Sequence, residues 1–312
     1  MDVSVIIVTR NTRALACEAV QSVLESADTL AKECVVVDNG SSDDTPKILP
    51  RQFPAVAYVR SETNLGFARA NNLGARQARG EFLLLLNSDA RLQPDALVSA
   101  VTWMRAHSDC AVAGAQLLNP DGSRQNSIAN FPTLATELLN KSLLRRLCPH
   151  RFPGKEQTYA EPVAVETVIG AFMLIRKEHW DALGGFDERY FFFFEETDFC
   201  RQTRRRGRTV FHLPAVRVWH GQGQTTRQVS VAARIEYWKS RYAYFAKNDR
   251  LASRVALRAG LMARLLLSWG GALVAVVLTF GKVTRTRDRW RLYANLLTWH
   301  LRGCPPGWGL PR

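Results

Sequence analysis

Cysteine is scarce and scattered: Cys17, Cys34, Cys110, Cys148, Cys200 and Cys304 form no Cys-x-x-Cys pair and follow no regular spacing. This excludes a disulfide framework and a cysteine-built zinc site, and it fits a reducing compartment. Acidic residues nearly vanish from the last third. From Arg201 onward there are 22 Lys plus Arg against 3 Asp plus Glu, whereas the first two hundred residues carry 20 against 25. A mildly acidic front thus precedes a strongly basic back, and the back suits a polyanionic partner, either nucleic acid or an anionic membrane surface. No Gly-x-Gly-x-x-Gly follows the first hydrophobic run and no P-loop pattern occurs, which argues against a nicotinamide dinucleotide. The amino end lacks the basic flank and cleavage site of a signal peptide, so the expected compartment is the cytoplasm.

What is present is a succession of short apolar runs. Val3 to Val8 is β-branched and ends in Thr9-Arg10-Asn11, and Cys34 to Val37 closes on Asp38-Asn39-Gly40-Ser41-Ser42-Asp43. Ala55 to Val59 follows, then Phe82-Leu83-Leu84-Leu85-Leu86, which ejects Asn87-Ser88-Asp89. Helical patterns fill the gaps at Ala14 to Leu24, from Thr45, and within Asn64 to Gly80. Strand and helix alternating at this spacing predict an α/β fold whose first ninety residues form a Rossmann-like half. The carboxyl ends of the four strands, at Thr9, Asp38, Ser61 and Asp89, then share one sheet edge, where open α/β folds bind ligands. Taken alone, Asp89 reads equally as an aspartate opening a turn.

Farther on, Pro94 to Ala106 predicts a helix, Val112 to Leu118 a strand, and Asn119-Pro120-Asp121-Gly122 a turn. From Ser123 to Pro162 the pattern weakens, and Pro132, Pro149 and Pro153 with Arg145, Arg146, His150 and Arg151 predict irregular basic structure. A second dense region runs from Val168 to His220. It offers a strand at Ile169 to Ile175, a helix at Glu178 to Leu183, and a Gly184-Gly185-Phe186-Asp187-Glu188 turn. Four aromatics, Phe191 to Phe194, then precede Glu195-Glu196-Thr197-Asp198, which opens a helix reaching Gly207; two short extended stretches, Val210 to Pro214 and Val216 to His220, complete it.

These segments in this order resemble a family 2 glycosyltransferase of the GT-A fold, closest to the rhamnosyltransferase-like branch. The resemblance rests on Val3 to Asn11, Val35 to Thr45, Asn64 to Gly74, Leu86-Asn87-Ser88-Asp89, Gly170-Ala171-Phe172, Gly184 to Glu188, Phe194 to Cys200 and Trp219-His220. It implies a catalytic region at 1–225, with a nucleotide-binding half at 1–92 and an acceptor half at 93–225. By resemblance, Thr9, Asn11 and Asp38 would hold the base and ribose of the donor, with Asn64, Gly66 and Ser88 lining its site. Arg69 or a neighbouring asparagine such as Asn71 would sit near the phosphates. Asp89 would stand for the last acid of an Asp-x-Asp motif, with Asn87 replacing the first. It would share a divalent cation, Mn2+ or Mg2+, with His220, whose plain reading is a buried structural histidine. Glu196 would be the base of an inverting transfer and Glu195 or Asp198 would orient the acceptor or a basic neighbour; equally, three acids at a helix start favour its dipole. Gly170 and Ala171 would leave room for the acceptor, or simply permit close backbone packing.

The implied reaction moves a sugar, by resemblance rhamnose from dTDP-rhamnose, onto a lipid-linked or polysaccharide acceptor. A sugar nucleotidyltransferase shares the opening half but wants a glycine-rich basic phosphate loop. A nucleic-acid-binding protein would use the basic back and leave the acidic edge idle; no nucleic acid is expected. In the helical basic segment 226–312, Ile235, Trp238, Tyr242 and Phe245 recur at helical spacing. An apolar stretch at 261–281 contains sixteen uncharged residues, Leu265 to Phe280, which reach roughly 24 Å against a hydrocarbon core of roughly 30 Å. Lys282, Arg285, Arg287, Arg289 and Arg291 follow, with Trp290, Tyr293 and Trp299 nearby. This pattern predicts a helix in or on an anionic leaflet, at the cytoplasmic face of the inner membrane, over a true span or a soluble helical interface.

Overall fold

The structure, a computed structural model, describes every residue except 28, 150, 153–156 and 222–229. His150 and Pro153 of the basic stretch, and the domain boundary expected at 225, lie outside the described residues. The chain divides into two units, one of Met1–Phe131, His150–Thr225 and Arg312, the other of Pro132–Pro149 and Thr226–Pro311.

In the first unit, β1 (Val3–Thr9), β2 (Lys32–Asn39), β3 (Ala57–Ser61) and β4 (Phe82–Asn87) pair in parallel in the order β3-β2-β1-β4. Thr9 stands opposite Asp38, and Val8 opposite Asn87, so the expected carboxyl edge is formed in register. The sheet continues through β10 (Phe172–Arg176), β6 (Cys110–Leu118), β11 (Thr209–His220) and β5 (Ala90–Leu92), with β8 (Val163–Ala164) on β11. β10 runs antiparallel to both β4 and β6. β7 (Ile128–Ala129) and β9 (Thr167–Val168) form a separate ribbon.

The run at Phe82–Leu86 is apolar throughout because both its faces are covered. Phe82, Leu84 and Leu86 join one core with Val5, Ile7 and the residues Ala16, Ala19, Val20 and Val23 of α1 (Arg13–Leu24); Leu97, Ala100 and Val101 of α4 (Ala96–Ala106) also belong to it. Leu83 and Leu85 face the other core, with Ala68 and Ala70 of α3 (Phe67–Ala75), Trp180 of α7 (Lys177–Leu183) and Phe199 and Cys200 of α8 (Glu195–Arg205). The short helix α2 (Thr45–Gln52) adds Leu49 to the first core.

Two expectations change in detail. The strand expected at Ile169 to Ile175 starts later, at Phe172, because Gly170 and Ala171 form a turn between β9 and β10. The two extended stretches expected around Pro214 are one strand, β11, whose pairing with β6 shifts register between Leu213 and Arg217. Proline has no N–H to give the ladder, so the strand slips past it and resumes.

The second unit is helical. It contains α9 (Ser230–Asn248), α10 (Leu251–Leu278) and α11 (Thr284–Leu301), together with α5 (Leu134–Leu138) and α6 (Lys141–Leu147). Two short helices thus lie within the stretch expected to be irregular, and α5 is tied down by Glu137. The Glu137 carboxylate lies 3.3 Å from Nη1 of buried Arg241, and its backbone carbonyl accepts from Arg264 Nη1 at 2.8 Å.

Candidate active site

The loops after β1, β2 and β4 are bound to one another. Asn11, in the left-handed region at φ +54°, accepts at Oδ1 from the Ser42 N–H at 2.7 Å, and its own N–H donates to Ser41 Oγ at 3.0 Å. The Thr9, Thr12 and Ser88 hydroxyls form a chain, 2.9 and 3.2 Å per step, from β1 to β4. Asp38 is fully buried; its carboxylate accepts from Ser41 N–H at 2.9 Å and from Tyr58 OH at 2.6 Å. Burial and this bond push the Tyr58 phenol up. At the carboxyl edge, Asp38 therefore braces the loop after β2. Asn71, expected near the phosphates, is also buried and caps α3 internally by donating to Phe67 O. Asn64 accepts from Asn39 Nδ2 at 2.9 Å and from Gly66 N–H at 3.1 Å. Arg69 pairs with Glu188 at 3.1 Å, both half-exposed. Arg10, which sequence reasoning passed over, lies between Thr9 and Asn11 with a buried Nε that has no hydrogen-bond partner.

At the end of β4, His220 Nε2 lies 3.4 Å from Asp89 Oδ1 and 3.4 Å from Asn87 Nδ2. Because β5 pairs with β11, Ala90 stands opposite His220, and residues far apart in sequence meet. Gln125 sets the imidazole. Its Nε2 donates to Asn119 Oδ1 at 2.8 Å and to the His220 carbonyl at 2.6 Å, so its Oε1 is the atom turned to His220 Nδ1 at 2.9 Å. The ring proton then belongs on Nδ1, and the Nε2 lone pair faces the Asp89 carboxylate. A carboxylate oxygen and an imidazole nitrogen 3.4 Å apart are of the donor types a divalent cation takes. Among the described residues no third His, Cys, Asp or Glu joins them. Gln125 was not singled out from the sequence, since a glutamine in an irregular stretch carries no motif.

Glu196 packs beside the turn that precedes β10. Asn87 N–H donates to Ala171 O at 3.1 Å, and a Cβ on the adjoining Gly170 would stand 3.6 Å from Glu196 Cβ. That is ordinary contact, so packing alone does not demand glycine here. Both glutamates at the start of α8 have a buried Oε2 without a hydrogen-bond partner. Burial pushes the Glu195 carboxyl well up, and the Glu196 charge adds to the shift; burial raises Glu196 too. Asp198, also buried, accepts from Gln202 Nε2 at 3.3 Å. Just before the pair, Phe193 and Phe194 sit at φ +72° and +71°. Bulky residues in the left-handed region are strained, and such strain clusters at functional sites.

The sequence profile of glycosyl transferase family 2 matches residues 4–184. This chain belongs to that family. N-acetylglucosaminyl-diphospho-decaprenol L-rhamnosyltransferase of Mycobacterium tuberculosis is 27% identical over 259 residues, covering 74% of this glycosyltransferase and 83% of that protein. Rhamnosyltransferase WbbL of Escherichia coli K12 is 24% identical over 238 residues, 73% of this chain and 88% of that one. Among solved structures, a mannosyltransferase from Pyrobaculum calidifontis in complex with GDP-Man and Mn2+ superposes with a TM-score of 0.56 at 19% identity, covering 96% of this chain and 86% of that chain. The glycosyltransferase thus has the GT-A fold, and family membership decides against the nucleotidyltransferase and nucleic-acid readings.

Proposed function

We propose that this glycosyltransferase transfers rhamnose, with inversion, from a nucleoside diphosphate donor, dTDP-rhamnose, to a lipid-linked glycan at the cytoplasmic face of a membrane. The sugar and the acceptor are supported by the rhamnosyltransferases it is similar to. The observation that supports the reaction type is the meeting of Asp89 and His220 at 3.4 Å at the end of β4; the desolvated Glu195 and Glu196 carboxyls, with Glu196 beside Gly170, are assigned to the same cleft as part of this proposal.

Asp89 and His220 would hold a divalent cation, whose charge would offset that of the departing diphosphate without a proton. Gln125 keeps the imidazole in the tautomer that can ligate, and Asn87 adds a neutral neighbour where a second carboxylate would hold the ion more tightly. Thr9, Asn11, Asn64, Gly66 and Ser88 shape the donor's bed, and Arg10 and Arg69 lie beside it in sequence. Burial raises both carboxyls of the pair, and the base is assigned to Glu196 by its place in the family motif. Its unpartnered Oε2 then takes the proton of the acceptor hydroxyl as that oxygen bonds to the anomeric carbon and the bond to the diphosphate oxygen breaks. Glu195 and Asp198 orient the acceptor side.

A panel of nucleotide sugars scored for cation-dependent hydrolysis and transfer tests this. dTDP-rhamnose should lead the panel. Glu196→Gln should lower transfer by about 100-fold or more while donor affinity holds, and Asp89→Ala should remove the response to added Mn2+ or Mg2+. Full transfer by Glu196→Gln would reject the base assignment.

A further inference from the structure

The hairpin of α10 and α11 ends in an apolar tip ringed by cations. The most apolar window of α10 is only 17% buried. Its inward row, Leu257, Leu261, Leu265 and Ala272, stops before the helix does. Beyond it, Val274, Val277, Leu278 and Phe280 are each more than half exposed, Phe280 at 87%. Phe280 also closes the helix at φ +49°, where Gly281 N–H reaches back to Val276 O at 2.8 Å. Helices usually end this way on glycine or asparagine. A phenylalanine held left-handed and turned into water is disfavoured on both counts, which marks a contact made with something apolar. Lys282, Arg285, Arg287, Arg289 and Arg291 follow directly, all exposed, with Asp288 as their sole acid. The buried Nε1 of Trp290 has no hydrogen-bond partner.

We infer that this tip inserts into one leaflet of an anionic phospholipid bilayer, with Val277, Leu278 and Phe280 among the acyl chains and the five cations at the phosphates. The inference rests on the membrane-peripheral part of the proposed function and deepens it. A span is disfavoured because α11 packs back along α10 across a turn of five residues; crossing would draw Arg285 to Arg291 into hydrocarbon. Pairing of two copies through the same patch is disfavoured because a two-fold contact sets the cation ring of one against that of the other. Lipid phosphates meet both the charge and the apolar surface.

Flotation of the full chain with vesicles of phosphatidylcholine alone, and with phosphatidylglycerol added, tests the inference. Binding should require phosphatidylglycerol and weaken in high salt. Phe280→Asn should weaken vesicle binding about tenfold or more, yet leave the melting temperature unchanged or higher, since asparagine tolerates the left-handed region. Donor hydrolysis should not change. Undiminished binding by Phe280→Asn combined with Val277→Asn would overturn tip insertion while leaving membrane association standing. Resistance of the wild type to carbonate extraction would overturn it in favour of a span. A dimer that Phe280→Asn dissociates would overturn it in favour of self-association. Failure of the wild type to bind either vesicle, with transfer intact, would remove both the tip and the membrane-peripheral reading but not the chemistry.

Discussion

Glu195 and Glu196 are neighbours with different surroundings, and the difference is measurable. Both carboxyls are raised by burial, and the Glu196 charge adds to the rise at Glu195. A carboxyl raised on folding favours the folded state below its ordinary range near 4.5 and loses that contribution as pH climbs through the raised value. Glu195→Gln should therefore stabilise the protein. The gain in unfolding free energy should be near zero at pH 4 and grow toward pH 8, reaching about 1 kcal/mol or more, and thermal melts at the two pH values would show it. An equal gain at both would show that burial does not charge Glu195 with this cost. The acid limb of kcat/KM should likewise lie above the ordinary carboxylate range, because Glu196 must lose its proton to act. The sequence made these acids visible as a cluster at a helix start, but a cluster says nothing about which carboxyl is dry. Gln125 was hidden for a related reason: its effect comes through three hydrogen bonds to residues as distant as His220, not through a pattern.

Among elements, β4 was the most legible and the segment after β6 the least. Five apolar residues between polar ones have few places to go except the middle of a sheet, and the register of Val8 with Asn87 follows once the parallel pairing is set. Strand limits failed where backbone chemistry outweighed hydrophobicity. Gly170 and Ala171 held off the start of β10 to Phe172, and Pro214 left β11 whole but out of register. The helix α3 begins on Gly66 at φ +80°, where an added Cβ would run into the Phe191 carbonyl oxygen. Gly66→Ala cannot be absorbed by a side-chain shift, since the obstructing atom is backbone. It should cost about 2 kcal/mol or more of stability and, by moving Phe191, lower transfer more than donor binding. Thermal unfolding together with separate KM values for donor and acceptor would show it.

At the scale of the whole chain, charge asymmetry was plain from composition, and the basic end lies largely in a separate helical unit. The inclusion of Pro132–Pro149 in that unit was not readable. Prolines and arginines there suggested an irregular linker, whereas Glu137 finds Arg241 and Arg264 more than a hundred residues away. An ion pair so distant leaves no local periodicity. The α/β architecture, by contrast, follows from local alternation and was read correctly.

The seam between α3 and the 185–194 stretch joins what the two substrates would touch. Phe67 N–H donates to Phe191 O at 2.7 Å, Asn72 exchanges two hydrogen bonds with Phe186, and Arg69 reaches Glu188. The same stretch runs straight into the strained pair ahead of Glu195. Occupancy of the nucleotide bed should therefore settle the proton-accepting helix before any alcohol arrives, making turnover a compulsory-order process. Steady-state product-inhibition patterns would reveal it: the released diphosphate nucleotide should compete with the donor alone, and saturating acceptor should not bypass that step.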